Sequence, residues 1–389
     1  MTSFLAFDWG VSPSFGWGVY GLNLMLHWPK VAGGPASCAG QLDLDGIMGL
    51  GPLHYRALAE SLAGSVRLKA RRDARPNQDF LVDGIALHGL GNQLAGPPQG
   101  QRIVGRLTCG VAFVENTDLP DATDKVAPYD LCIVGSTWNG KLLRERGISR
   151  VATVIQGIDP AIFHPAPRAG FLEGRFAVFS GGKLEHRKGQ DLVLLAFKAF
   201  AQRRPDAILV TAWHSPWPQL VQTFNCNPKT APVPLDGQGK VNVTQWAVDN
   251  GLSADQIIDL GSIPNHQMAT TLREMDVGVF PSRCEGGTNL VAMECLACGI
   301  PSIVSANTGH LDLIETGAPL ALTRQGQVAP SYCGTQDWGE SDVEEIVEML
   351  DRVYTDRSEA LYRGRLAAEA MAAWSWHKQI GVLRDVLAR

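Results

Sequence analysis

Short apolar runs alternate with amphipathic stretches along the chain. In the first half, residues 4–7, 85–88, 105–114 and 131–134 are apolar and read as strands, the second of them followed by a glycine turn at 89–92; in the second half, residues 176–180, 207–213, 257–260, 277–280 and 302–304 do the same. Between them, helical spacing occupies residues 19–26, 53–63, 140–146, 190–202, 241–250, 265–275, 341–355, 359–372 and 378–387. Pro52 suits the first turn of the helix it precedes. In residues 190–202, Leu192, Leu195, Ala196, Ala199 and Phe200 form the expected core face. Strands alternating with helices through both halves predict an α/β protein of two doubly wound domains. A Pro- and Gly-rich passage at 164–174 reads as the linker. Residues 1–165 then form the first domain, 166–370 the second, and 371–389 a closing helical segment. Residues 224–240 carry Pro, Gly and Asn and read as an insertion loop.

Composition narrows the function classes. At 389 residues the chain has room for two or three domains. Hydrophobic residues make up 45% and charged residues 19%, which supplies a large core and argues against disorder. A net charge of −5 gives no general attraction to nucleic acid, so that partner is not expected. No apolar run reaches the length of a membrane span. The first residues lack a basic segment followed by an apolar one, so no signal peptide is expected. The eight cysteines are scattered, and Cys132, Cys295 and Cys298 lie in apolar runs, as reduced thiols of a cytoplasmic protein would. Cys295 and Cys298 have no second pair or nearby histidine to complete a metal site.

The stretch with the most chemistry runs from 277 to 304. It reads as strand, glycine-bearing loop, helix, Gly-Pro stop and second strand. Thr288 or Asn289 can cap the helix, whose Leu290, Met293, Leu296 and Ala297 face a core. Glycines at a helix N-terminus expose N–H groups, and the helix dipole favours an anion there. Two carboxylates, Glu285 and Glu294, flank this loop. Anion-binding backbone beside carboxylates suits a ligand with phosphates and hydroxyls, such as a nucleotide-sugar.

These residues carry a family resemblance. Glu285-Gly286-Gly287-Thr288-Asn289, with Ala292-Met293-Glu294 and Ala297-Cys298-Gly299-Ile300-Pro301, resembles the donor-site signature of retaining GT-B glycosyltransferases of family 4 (glycosyl transferases group 1). Eight residues separate Glu285 from Glu294, one more than in the usual pattern. The loop Gly181-Gly182-Lys183-Leu184-Glu185-His186-Arg187-Lys188-Gly189 resembles the family's phosphate loop, with Lys183 where relatives carry arginine. A lysine keeps the charge but not the bidentate fork. Residues 135–147, 154–165 and 374–387 are similar to further family segments.

The resemblance implies a GT-B fold: two Rossmann-like domains facing a central cleft, with a C-terminal helix crossing back to the first. It implies a nucleoside diphosphate sugar donor, UDP- or GDP-linked, and a hexosyltransferase-type reaction without metal or other cofactor. Lys183 and Lys188 would neutralise the leaving diphosphate, helped by Gly182 and the backbone of Gly286, Gly287, Thr288, Asn289 and Leu290. Glu294 would hold ribose hydroxyls and Glu285 those of the transferred sugar. The turn at Ile263 would meet the base. A glycine loop at Gly16 and Gly18 would approach the donor from the first domain, or else be a tight turn. His88, at the end of a strand, would sit near the reacting sugar or else be structural.

Other features keep a plain reading. Asp43 and Asp45 read as a turn and not a metal motif. Glu115, Asn116 and Asp118 are cleft polar groups or caps. The basic run Arg67, Lys69, Arg71, Arg72 and Arg75 is a solvated face, or docks an anionic acceptor or a membrane surface peripherally. His310 and Asp312 line the site or are structural. The acceptor (saccharide, lipid-linked glycan or protein) is open. So are a GT-B sugar phosphorylase, a nucleotide-sugar epimerase and a non-catalytic nucleotide-sugar binder as alternative functions.

Overall fold

Apolar runs become parallel strands because helices cover both faces of such a sheet. The computed structural model describes residues 4–215, 217–329 and 334–389. Two compact units are present: Met1–Gly157 with Pro264–His266 and Trp374–Arg389, and Ile158–Ile263 with Gln267–Ala373.

The first unit is built on β1 (Leu5–Phe7), β2 (Ala36–Cys38), β4 (Ile85–Leu90), β6 (Leu107–Ala112), β7 (Leu131–Val134) and β8 (Val151–Thr153). They form one parallel sheet of order β2-β1-β4-β6-β7-β8. Two short strands, β3 (Phe80–Leu81) and β5 (Ile103–Val104), pair separately. Its helices are α1 (Gly16–Ala32), α2 (Leu44–Met48), α3 (Pro52–Asp73), α4 (Ala122–Val126) and α5 (Thr137–Glu145). The chain's last helix, α13 (Trp376–Leu387), also belongs here and packs on α1, with Trp376 stacked on Tyr20.

The second unit has β9 (Phe176–Lys183), β10 (Ala207–His214), β11 (Ile257–Asp259), β12 (Val277–Phe280), β13 (Ser302–Ser305) and β14 (Leu320–Leu322). These form a parallel sheet of order β11-β10-β9-β12-β13-β14, the doubly wound arrangement. A small antiparallel pair, β15 (Gln325–Gly326) and β16 (Glu340–Ser341), lies outside it. The helices are α6 (Gln190–Ala201), α7 (Val243–Asp249), α8 (Met268–Leu272), α9 (Leu290–Ala297), α10 (Leu311–Ile314), α11 (Val343–Thr355) and α12 (Arg357–Ala372). Phe176, Phe197, Phe200, Phe224 and Trp246 are the large buried side chains of its core. Each unit is built on one six-stranded parallel sheet, as the family resemblance implied for its two domains.

Four local differences from the sequence reading have physical causes. The helix expected from residue 19 begins at Gly16, so Gly16 and Gly18 lie in its first turn, not in a loop ahead of it. A Cβ at Gly18 would come 2.5 Å from the Ser12 carbonyl, so glycine lets the helix close onto that strand-end loop. Strands β2, β8 and β14 escaped notice because each is a three-residue edge strand, too short to show a period. The buried face of α6 runs through Leu192, Val193, Ala196, Phe197 and Phe200, leaving Leu195 and Ala199 half-buried, because α11 packs beside it. The first unit ends at Gly157, short of the linker placed by composition. Residues 158–164 are already tied to the second unit, where Arg273 donates to the carbonyls of Ile162 and His164.

Gly189 sits between the site loops, at φ 71°, and caps α6. A Cβ there would lie 2.2 Å from the Pro281 carbonyl oxygen. Gly189→Ala is therefore expected to lower unfolding free energy by about 2 kcal/mol or more in urea denaturation, from left-handed strain plus the clash.

Candidate functional site

In a doubly wound sheet the winding reverses at one place, and the loops there diverge to leave a crevice at the carboxyl ends of the strands. In the second unit that place lies between β9 and β12, which pair as neighbours at Val178–Val277 and Phe179–Gly278. The chain leaves β9 through Lys183–Gly189 and leaves β12 through Pro281–Asn289. The two stretches with the strongest sequence signals are thus brought together.

Their side chains form a chain of alternating charge. Lys183 Nζ lies 3.0 Å from a Glu185 carboxylate oxygen. Glu185 also holds the Arg187 guanidinium. Arg187 Nη1 donates to Glu285 at 3.0 Å, and Lys188 Nζ donates to both Glu285 oxygens at 2.7 and 2.8 Å. Ser282 Oγ adds a bond at 2.7 Å and Asn289 Nδ2 one at 3.1 Å. Burial alone would raise the Glu285 carboxyl, but Lys188 and Arg187 outweigh it and hold it down at about 2. Burial likewise works against Glu185, yet Arg187 and Lys183 keep it below the ordinary carboxylate range. Three cations therefore face two carboxylates, Lys183, Arg187 and Lys188 against Glu185 and Glu285, leaving one positive charge in excess.

The α9 end supplies backbone. Asn289, at φ 64°, caps the helix by accepting from the Ala292 N–H. Helix geometry leaves the N–H groups of Leu290 and Val291 without intrahelical acceptors. Asn289 Nδ2 also reaches His310 Nε2 at 3.2 Å. The Ser305 hydroxyl donates to the Ser282 carbonyl at 2.6 Å, so it accepts from His310 Nδ1 at 2.9 Å. His310 therefore carries its proton on Nδ1 and offers the Nε2 lone pair to Asn289. Burial pushes its pKa down to about 4 against the pull of Glu285, so the ring is neutral at pH 7. Glu294 is buried one turn along α9. Thr288 is buried, its hydroxyl against the Met293 sulfur.

The loop is clamped from below. Arg283 is fully buried, makes a two-bond pair with Asp191 at the start of α6, donates to Glu340 and bonds the His186 carbonyl. Its N–H meets the Arg187 carbonyl at 2.7 Å. Gly309, where a Cβ would come 2.0 Å from the Gly287 carbonyl, lets the loops approach this closely, and Gly182 takes a φ of 127° that side chains rarely adopt.

Of the residues singled out by sequence, Gly182 and Lys183 end β9, and Lys188, Glu285, Glu294, Gly286, Gly287, Thr288, Asn289 and Leu290 lie in the two loops and α9. Ile263 ends the segment that follows β11. Gly18 and His88 belong to the first unit. The His88 ring is fully buried, with its nitrogens on the Ile103 carbonyl at 2.8 Å and the Tyr129 hydroxyl at 3.3 Å, and burial lowers its pKa. Asp43 caps α2, accepting from the Gly46 N–H and the Ser12 hydroxyl. The basic run lies along the end of α3 and beyond it, where Arg71 covers Phe80. Glu185, Arg187, Arg283 and Asp191 had no reading from sequence. The contacts that define them span up to about a hundred residues, which no local pattern shows. Asp8 was also missed: burial lifts its carboxyl to about 6 at the end of β1, where it accepts from the Gly89 N–H.

Comparison with known proteins bears on the family and the fold. The family model described as Glycosyl transferases group 1 matches residues 167–365. Curated relatives include a D-inositol 3-phosphate glycosyltransferase of Pseudarthrobacter chlorophenolicus, 25% identical over 60% of this chain and 49% of its own. Another is a GDP-mannose-dependent monoacylated alpha-(1-6)-phosphatidylinositol monomannoside mannosyltransferase of Corynebacterium glutamicum, 24% identical over 57% of this chain and 51% of its own. The chain thus spans about half the length of these relatives. Among solved structures, Anabaena HepE in complex with UDP and glucose aligns over 100% of both chains with a TM-score of 0.66 and 14% identity. Sucrose-phosphate synthase of Thermosynechococcus elongatus aligns over 99% of both with a TM-score of 0.63 and 17% identity.

Replacing Glu285 by Gln leaves Arg187 and Lys188 facing a neutral amide. Because the folded carboxyl sits at about 2, below its ordinary 4.5, its stabilisation is complete above pH 4.5 and is lost as pH falls toward 2. Glu285→Gln is expected to cost about 3 kcal/mol at pH 7 in urea denaturation. The gap to the wild type should stay constant from pH 8 to about 5.5 and narrow below about 4.5.

Proposed function

The chain belongs to the glycosyl transferases group 1 family, and from that premise we propose that it moves a sugar from a nucleoside diphosphate sugar to an acceptor hydroxyl with retention of configuration. One observation carries this reading: Lys183, Arg187 and Lys188 converge with the N-terminus of α9 at the crevice of the second sheet. Such a set suits a diphosphate leaving group, whose developing charge needs fixed cations and N–H donors. In this account the diphosphate draws Lys183 from Glu185 and Lys188 from Glu285. Glu285, still held by Arg187, then turns to hydroxyls of the transferred sugar, and Glu294 holds the ribose.

The glycosidic C1–O bond to phosphate breaks as the acceptor oxygen forms its bond to C1 on the same face. The acceptor proton passes to the departing phosphate oxygen, so no protein nucleophile is used. Lysines and backbone carry the leaving charge in this proposal, with no metal in the step. His88 has no part in it, since its ring is bonded on both sides within the first unit. The donor is a UDP- or GDP-sugar, in line with the UDP and glucose of Anabaena HepE and the GDP-mannose dependence of the corynebacterial relative. The acceptor is a hydroxyl of a saccharide, a lipid-linked glycan or a protein. Among the described residues no helix is long and apolar enough to cross a membrane, and we place the reaction in the cytoplasm, where the free cysteines would stay reduced.

Lys188→Ala and Glu294→Ala test the site. Each is expected to lower release of nucleoside diphosphate from the donor by about a hundredfold or more, as loss of a charge-stabilising group does. Circular dichroism should show both folded. Wild-type turnover in both would remove these residues from the site. A thermal-shift screen of nucleoside diphosphates and their sugars should single out one base, because a ligand that binds only the folded state raises the midpoint.

A further inference from the structure

We propose that Trp217 is the aromatic wall on which the donor's base stacks, a subsite built by the segment between β10 and α7. The proposal rests on the nucleotide-sugar reading of the site. Its first support is topological. β10 lies between β9 and β11 in the sheet. The segment that leaves β10 at His214 and carries Trp217 thus emerges between Lys183, at the end of β9, and the Gly261–Ile263 turn that follows β11.

The second support is contact. The Trp217 ring lies 5.2 Å from Lys183 Nζ, the same ammonium that pairs with Glu185. Trp217 is 46% exposed, whereas Trp213 and Trp246 of the same unit are buried. An indole this exposed contributes little to folding, yet beside a phosphate-binding cation it is a good platform for a base. In a nucleoside diphosphate one ribose separates the phosphates from the base, so an aromatic face next to a phosphate-binding cation lies within the ligand's reach.

The third support is anchoring. The Trp217 N–H donates to the Ser215 hydroxyl at 3.2 Å. The stretch that follows, Pro218–Cys226, drives Val221 and Phe224 into the core. Thr223 Oγ1 accepts from the His186 N–H at 3.0 Å, and Asn227 Nδ2 bonds Asp191. The segment is thus fastened to the lysine loop and to the start of α6, which also hold Lys183 and Arg283. Without donor, Lys183 covers the indole through a cation–π contact. A phosphate that draws the ammonium away uncovers the face for the base.

Calorimetric titration of wild type, Trp217→Ala and Trp217→Phe with UDP, GDP and inorganic pyrophosphate tests this. Trp217→Ala is expected to weaken the preferred nucleoside diphosphate by about tenfold or more and to leave pyrophosphate unchanged, with Trp217→Phe within about threefold of wild type. Unchanged nucleotide affinity in Trp217→Ala would overturn the proposal. Equal loss toward pyrophosphate would also overturn it, making Trp217 only a support for Lys183. Wild type that binds pyrophosphate but neither nucleotide would refute the nucleotide-sugar reading itself, and this subsite with it. An unchanged urea midpoint in Trp217→Ala shows that the exposed ring is not needed for folding.

Discussion

A carboxylate taken out of water costs several kcal/mol unless opposite charge and hydrogen bonds meet it. Glu285 is the point where this constraint shapes the second unit. Lys188 and Arg187 from the β9 loop and Ser282 and Asn289 from the β12 loop all converge on it. Satisfying that one group fixes the register of the β9 loop against the β12 loop. The same demand explains Arg283 beneath, whose pair with Asp191 pins the loop to α6. Removing Glu285 would leave Lys188 and Arg187 without their shared carboxylate, so the two loops are held together chiefly through that one group. A diphosphate is the kind of ligand able to enter it, because it replaces the carboxylates as the partner of the lysines.

The neutral state of His310 belongs to the same logic. A second cation on that side would compete with Lys188 for Glu285, and burial prevents it. The ring instead passes order from the Ser305 hydroxyl to Asn289, and Asn289 both caps α9 and holds Glu285. Helix start, loop shape and carboxylate position are thereby coupled. Asn289 also lies within the stretch where the chain has one residue more than the usual family pattern, between Glu285 and Glu294.

Much of this was legible from sequence, and the limits have physical reasons. Central strands such as β9, β10 and β12 are continuous apolar runs because helices cover both their faces, so they stood out. Asn289 as a cap and Gly299 with Pro301 as a stop were readable because helix ends have local chemistry. The three-residue edge strands had no period to read. Gly18 was placed in a loop because glycine is a turn former, whereas here it is the residue small enough for α1 to touch Ser12. Glu185 and Arg187 were in plain view in a recognised loop, but their role depends on Glu285, about a hundred residues away. Trp217 had no sequence signal, since its meaning comes from the strand order that sets it beside Lys183. The family model matches residues 167–365, nearly all of them in the second unit, where the loops that carry this chemistry lie.

The central claim is that the lysines of the β9 loop exchange carboxylates for the donor's diphosphate. A crystal structure of the chain with a bound nucleoside diphosphate tests it most directly. The account predicts phosphate oxygens about 3 Å from both Lys183 Nζ and Lys188 Nζ, at the carboxyl ends of β9 and β12, with at least one lysine withdrawn from its carboxylate. A diphosphate bound elsewhere on the chain, with Lys183 still on Glu185 and Lys188 still on Glu285, would contradict it.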